Sequence, residues 1–177
     1  VGPFDFLDPN YPIPQHICEF TYDLIQKGEL TFDKSLNDHM TLTFHDSCNV
    51  SRASRMGDIP GGQFKIPREV IKACCNNFVD MADDTINENT FCCGGGGGFN
   101  GIGKYHHERN VGLKVKMDQI LATDCKLVIS PCHNCWDAIR DMSKVYKLDI
   151  RWSFLKPILV DMAIVPDQFK LDDDDED

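Results

Sequence analysis

Phe91-Cys92-Cys93-Gly94-Gly95-Gly96-Gly97-Gly98-Phe99 is the stretch on which the reading of this chain turns. Adjacent residues of an extended segment point to opposite faces, so Cys92 and Cys93 reach one site only if the backbone turns sharply there. Five glycines follow. Without a Cβ they let the chain turn, and their N–H groups can approach a bulky inorganic centre closely enough to bond its sulfurs. Glycine runs also serve as flexible linkers between domains. Cysteines immediately ahead of the run and a phenylalanine on each side are not linker composition, so the stretch reads as a ligand loop.

Working outward, short apolar runs alternate with helical periods. Ahead of the loop, Met40-Thr41-Leu42-Thr43-Phe44-His45 reads as a strand ending at Asp46-Ser47-Cys48, and Thr90-Phe91-Cys92 as a very short strand entering the glycines. Between them Arg52 to Gly62 reads as loop, and Pro67 opens a helix. Its stripe of Val70, Ile71, Cys74, Cys75, Phe78 and Val79 makes one continuous apolar face, with Cys74 and Cys75 as core residues. Asp83, Asp84, Asn87 and Asn89 form a polar loop. Further upstream, Ile17, Phe20, Leu24 and Ile25 recur at helical spacing with Gly28 as the stop, and Cys18 is a buried small hydrophobe within that helix. Beyond the loop, Tyr105 to Thr123 reads as a helix with Val111, Val115 and Ile120 interleaved with Arg109, Lys114 and Lys116. Cys125 packs ahead of a buried strand, Lys126 to Ser130. Pro131-Cys132-His133-Asn134-Cys135 then leads into a helix from Trp136 to about Tyr146. A last strand at Asp149 to Trp152 precedes a helix through Leu155, Ile158, Leu159 and Met162, with Pro157 in its first turn.

This alternation predicts an α/β, Rossmann-like layered domain with a mainly parallel sheet, whose sites form beyond the carboxyl ends of the strands. Cys48, Cys92 and Cys132 all stand at such ends. One sheet edge would therefore gather Cys48, Cys92, Cys93, Cys132 and Cys135.

At 177 residues the chain can bury a core without disulfide staples, and its hydrophobic fraction of 42% agrees. A formal charge of −10, part of it in the run Asp172 to Asp177, argues against a nucleic-acid surface. No stretch has the length of a membrane span, and the N-terminus lacks the order of a signal peptide, so a soluble chain is expected. Val1 in place of an initiator methionine leaves open a processed product or a piece of a longer polypeptide. Nine cysteines, odd in number and including two adjacent pairs, make a poor disulfide framework and point to metal or redox chemistry.

A CxxC ahead of a helix is shared by zinc knuckles, thioredoxin-like dithiols and iron–sulfur ligands. Thioredoxin-like chemistry needs nothing of Cys48, Cys92 or Cys93, and a structural zinc site leaves a fifth thiolate unused. A cluster accepts thiolates on several irons, and nearby backbone N–H groups tune it. The fifth cysteine and the glycines fit a cluster better than zinc. Neither GxxxxGK[ST] nor a strand–GxGxxG–helix unit is present, which argues against nucleotide phosphates.

The order Cys48, Cys92-Cys93-Gly94 and Cys132-His133-Asn134-Cys135 resembles the cysteine-rich CCG domain family, known from the catalytic subunit of heterodisulfide reductase and its relatives. His45-Asp46-Ser47-Cys48 with the downstream Arg52 resembles that family's His-Asp-Pro-Cys segment. Pro67-Arg68-Glu69 resembles its Pro-Arg-Glu turn, and Ser130-Pro131-Cys132 its Cys-Pro-x-x-Cys region with the proline moved ahead of the first cysteine. Pro14-Gln15-His16-Ile17 and the following helix end resemble the close of a first module. Members commonly carry two modules and one complete cysteine set is present here, so the resemblance implies the C-terminal part of a longer subunit. Residues 1–38 would then end a preceding module, 39–166 form the cysteine-rich iron–sulfur domain, and 167–177 an acidic tail. Within the family, Arg52 to Met56, Ile66 to Asn77 and the glycine run are most similar to the DsrK-type subunits of dissimilatory sulfur metabolism.

The resemblance implies a non-cubane [4Fe-4S] centre on Cys48, Cys92, Cys93, Cys132 and Cys135, with Gly94 and Gly95 against it, at which a disulfide is reduced in one-electron steps. It further implies a DsrC-like sulfur-carrier protein as substrate, presenting a disulfide or trisulfide. Electrons would come from a quinone-linked membrane subunit through the cubane clusters of a ferredoxin-like domain. The chain itself would be cytoplasmic, held at the inner membrane by those partners without direct insertion. His45 and His133 flank the ligands and would either donate protons to a leaving thiolate or hydrogen-bond the cluster or the loop. Arg52 and Arg55 would either stabilise thiolate charge or pair with Asp46 and Asp58. Adjacent His106 and His107 diverge by about 100° on a helix and read as surface residues.

Overall fold

The computed structural model describes residues 15–52 and 62–153. The helix expected through Leu155 to Met162, the acidic tail, Arg55 and Asp58 lie outside the described residues. Three strands, β1 (Leu42–Phe44), β2 (Leu127–Ile129) and β3 (Arg151–Ser153), form a sheet in that order. Both pairings are parallel, with Phe44 opposite Ile129 and Ile129 opposite Ser153. The α/β layered architecture with a parallel sheet is therefore as the alternation of periods predicts.

Helices cover both faces of this sheet, and the two-residue repeat of β2 shows how. Leu127 and Ile129 join Leu42, Phe44, Val70, Ile71, Cys74 and Cys18 in one core. Val128, pointing the other way, joins Met117, Ile120, Ala138, Ile139 and Met142 in a second. The first core is closed by α1 (Ile17–Gln26) and α3 (Gly62–Cys74), the second by α5 (Lys114–Leu121) and α6 (His133–Val145). A one-turn helix α2 (Cys48–Ser51) follows β1, and α4 (His106–Gly112) precedes α5. Cys18, Cys74, Cys75 and Cys125 are all buried, in keeping with core roles. Helix α1, grouped by sequence with the segment 1–38, packs its Cys18 into the same core as β1. No helix among the described residues is long and apolar enough to cross a membrane.

Helix α1 starts at a capping box: His16 Nδ1 accepts from the Cys18 N–H at 3.2 Å, while the His16 N–H donates to Glu19 at 3.1 Å. It stops at Gly28, whose φ of +71° favours glycine.

Five local expectations are corrected. Pro67 lies inside α3 rather than opening it. A proline there removes one helical hydrogen bond, and the helix persists because Val70, Ile71 and Cys74 are buried behind it. Phe78 and Val79 do not continue the α3 stripe. The Leu42 N–H donates to Asn77 O and the Val79 N–H to Leu42 O, so this segment runs beside β1. Asn76 and Asn77 end the helix by donating their amides to Asp38. The strand expected at Thr90 to Cys92 has no ladder partner among the described residues; Arg52 holds it instead, donating to the carbonyls of Glu88 and Thr90. Finally, the helix expected from Tyr105 to Thr123 is broken at Leu113. Val111 and Val115 are exposed while Arg109 and Lys116 are buried. Helix α6 also starts earlier than Trp136, at His133.

Candidate metal centre

The carboxyl ends of β1 and β2 each release the chain into the amino end of a helix. Beyond β1, Cys48 is the first residue of α2. Beyond β2, Cys132 caps α6 and Cys135 lies in its first turn. Free N–H groups at a helix start favour negative charge, so both positions suit thiolates. The glycine loop brings Cys92 and Cys93 to the same place. Cys93 and Cys135, both buried, stand with their sulfurs 3.0 Å apart. A nitrogen of His45 and these two sulfurs all lie within 4.8 Å of one another.

The hydrogen bonding runs through all the predicted sulfurs except Cys48. Cys135 shares hydrogen bonds with Cys132 and Cys93, which push its own thiol well above the usual range. Cys93 is held far below that range by its bonds with Cys135 and Cys92 against the cost of burial, with His45 adding to the effect. Cys132 is lowered to about 5 by the Cys135 thiol, against burial, with the backbone N–H groups of Cys135 and Asn134 contributing. Cys92, partnered by Cys93 and partly buried, is pushed up, and the charge of Cys48 adds to that shift. Cys93 and Cys135 lie in an apolar wall shared with Met117, Ala138 and Ile139.

Two of the glycines shape the loop. Gly94, with φ +72°, directs its N–H to Cys92 Sγ at 3.2 Å. At Gly95 a Cβ would lie 2.2 Å from the Asn134 carbonyl oxygen, so only glycine lets the loop reach the first turn of α6. Asn100 locks that contact by donating to Asn134 O at 3.0 Å. Arg109 in turn donates to Asn100 and to Asp141 on α6.

His45 is buried, and its Nδ1 has no partner among the described residues. His133 is exposed at the rim, 3.3 Å from Asp137 and stacked on Trp136. The described hydrogen bonds of Arg52 go to the carbonyls leading into Cys92, so it braces the loop. Asp46 is paired with Arg68 rather than with Arg52. Its two oxygens accept from Nη1 at 2.7 Å and Nη2 at 2.8 Å, and one also accepts from the Asn87 N–H. Arg68 directs its remaining donors to Phe64 O and Asp80, so all five are satisfied. This pair ties the turn carrying Cys48 to α3. Sequence reasoning reads Arg68 only as part of a turn and misses its role. It also misses Lys116, buried behind the sulfurs and lowered to about 8 by burial against the pull of Asp46, Cys93, Cys135 and Cys92.

The donor set fits a soft or borderline metal group. Converging cysteines and a buried imidazole with an orphaned nitrogen are ligand types of iron–sulfur clusters and of zinc, and nearby glycine N–H groups are donors of the kind that bond cluster sulfurs.

Comparison with known proteins bears on which. No solved structure matches this chain. An Hdr-like menaquinol oxidoreductase iron-sulfur subunit from Archaeoglobus fulgidus is 43% identical over 83 residues, 47% of this chain and 14% of the relative. A dihydromethanophenazine:CoB–CoM heterodisulfide reductase subunit from Methanosarcina mazei is 31% identical over 138 residues, 76% of this chain and 30% of the relative. An EtfAB:quinone oxidoreductase from Syntrophomonas wolfei is 28% identical over 142 residues, 75% of this chain and 18% of the relative. The chain thus spans under a third of each of these proteins. The family model of the cysteine-rich CCG domain matches residues 42–140, the interval from β1 to α6 that carries every sulfur of the centre, and the chain belongs to that family.

Proposed function

We propose that this chain is the catalytic iron–sulfur module of a heterodisulfide-reductase-like electron-transfer complex, acting on sulfur–sulfur bonds. The observation that carries the reading is the convergence of cysteines from separate chain segments around the 3.0 Å contact of Cys93 and Cys135. The names of the relatives, iron–sulfur and quinone-linked oxidoreductases among them, support the same reading. Cys48, Cys92, Cys93, Cys132 and Cys135 would hold a non-cubane [4Fe-4S] centre. When bound, such a centre supplies the one-electron chemistry that splitting a disulfide in two steps requires.

The chain's own residues set the conditions for that chemistry. The amides at the start of α6 and the Gly94 N–H stabilise sulfur charge. The apolar wall of Met117, Ala138 and Ile139 excludes water on one side. His45, buried beside Cys93, is placed to hold a proton for a departing thiolate, while His133 serves the solvent side of the rim. The substrate in this reading is a disulfide or trisulfide on a DsrC-like sulfur-carrier protein. A quinone-linked membrane subunit and a cubane-cluster ferredoxin-like domain supply electrons, and the chain sits on the cytoplasmic side of the inner membrane through those partners.

A second reading rests on the tightest part of the site: His45, Cys93 and Cys135, with Cys132 hydrogen-bonded to Cys135, make a Cys₃His set suited to a structural zinc. Iron, zinc and acid-labile sulfide on anaerobically purified protein, with EPR of the oxidised sample, separate the two. About four irons with matching sulfide, and a signal shifted by added thiol or disulfide, support catalysis. One zinc and no sulfide under the same conditions establish the structural reading. Cys93→Ser is expected to abolish the iron centre, and full iron content with undiminished disulfide reduction in that variant refutes the ligand assignment.

A further inference from the structure

Lys116 lies on α5 with only 1% of its surface exposed. A lysine ammonium carries three donors and is almost never fully buried without a counter-ion. Its hydrogen bonds go to the Met81 thioether at 3.7 Å and the Thr90 hydroxyl at 3.5 Å, both weak acceptors for a cation. No carboxylate pairs with it among the described residues. Asp46, the buried carboxylate whose field reaches it, already has both oxygens on Arg68.

What remains to offset the buried charge is sulfur. Thr90 stands two residues before Cys92, and Met81 shares its apolar cluster with Cys93 and Cys135. The ammonium thus lies on the buried side of the sulfurs, within reach of the charges of Cys93, Cys135 and Cys92. On that low-dielectric side its charge acts on the sulfurs with little screening.

We propose that Lys116 is the fixed counter-charge of the cysteine centre: a positioning residue whose buried ammonium stabilises the added negative charge when the centre takes up an electron. The proposal rests on the iron–sulfur reading above. It makes two opposed demands of one side chain. For the metal-free protein Lys116 is a cost, because an ammonium with weak partners is buried. For the loaded protein it favours the reduced state.

The test compares Lys116→Met, Lys116→Gln and Lys116→Arg with the unaltered full chain. Each is reconstituted anaerobically with iron and sulfide, titrated with dithionite and followed by EPR. Loss of the charge in Lys116→Met and Lys116→Gln is expected to disfavour reduction at least tenfold, a fall of about 59 mV for one electron. Lys116→Arg is expected to keep the potential of the unaltered chain. In the metal-free state Lys116→Met is expected to unfold in urea at the same concentration as the unaltered chain or higher, a result that a purely packing role would reverse. If Lys116→Met fails to fold, the difference between Lys116→Gln and Lys116→Arg decides by the same criterion. Absence of any iron–sulfur centre in the unaltered protein overturns both the functional reading and this proposal. A centre that assembles normally and keeps its potential in the neutral variants overturns the role of Lys116 alone.

Discussion

Gly95 and Gly96 are neighbours in the same loop, and replacing each with alanine separates the geometry of the site from the general tolerance of a glycine run. At Gly96 a Cβ meets nothing within 4 Å, and its φ is not in the left-handed region. At Gly95 the Cβ would lie 2.2 Å from the backbone oxygen of Asn134, whereas real Cβ atoms essentially never come closer than 3.0 Å. The loop or the first turn of α6 must therefore retreat by about 0.8 Å. Neither yields easily, since Asn100 bonds Asn134 O and is itself held through Arg109 to Asp141. Forced overpacking of this kind costs about 1–3 kcal/mol. Removing glycine freedom from the unfolded chain returns at most about 1 kcal/mol. The same retreat moves Cys135 relative to Cys93, and metal sites hold their ligand distances to about 0.2 Å. Gly95→Ala is therefore expected to lower the urea midpoint and lose most of its iron, while Gly96→Ala stays within about 0.5 kcal/mol of the unaltered chain and loads fully. Equal stability and equal iron content in the two variants would refute the argument that this backbone contact sets the site.

Arg68→Met leaves Asp46 as an uncompensated buried carboxylate and is expected to cost about 3–5 kcal/mol in urea unfolding. Pairing it with Asp46→Leu should recover much of that loss, and additive losses in the double variant would show that the two residues are not coupled. Burial, aided by Glu19, pushes the Cys18 thiol up to about 12. Above the ordinary thiol value of 9.0 the unfolded chain releases a proton that the folded chain keeps, so this residue's contribution to stability falls as pH rises from about 9 toward 12, by up to about 4 kcal/mol. The stability advantage of the unaltered protein over Cys18→Ala should shrink across that window, and a constant difference would contradict the buried-thiol assignment. Glu19→Ala opens one half of the His16 capping box and is expected to cost about 0.5–2 kcal/mol in thermal unfolding, with no change in iron content.

Much of the site was legible because its signals are local. Cys48 and Cys132 stand directly after apolar runs that can only be buried strands, and parallel strands deliver their carboxyl ends to one side. The glycine run announced a backbone that must pass close to something, which proves to be Asn134 and Leu113. Illegible were the residues whose roles depend on partners far away in the chain. Helical spacing interleaved Val111 and Val115 with Arg109 and Lys116 and did not say which would be buried. Arg109 and Lys116 are the buried pair because α4 and α5 turn one face to Asn100 and Asp141 and the other to the sulfur wall. Asp46 offered no sign of choosing Arg68, 22 positions away, over the nearer Arg52.

Consecutive residues were enough to establish the layered α/β class, the parallel sheet and the places of Cys48 and Cys132 beyond strand ends, since period and turn chemistry are written locally. It took the folded chain to make Cys93 and Cys135 the buried heart of the set while Cys92 stays exposed, to turn His45 inward and His133 outward, and to lay a lysine behind the sulfurs. Those choices are made by packing and by the cost of burying charge, and both depend on which distant surfaces meet.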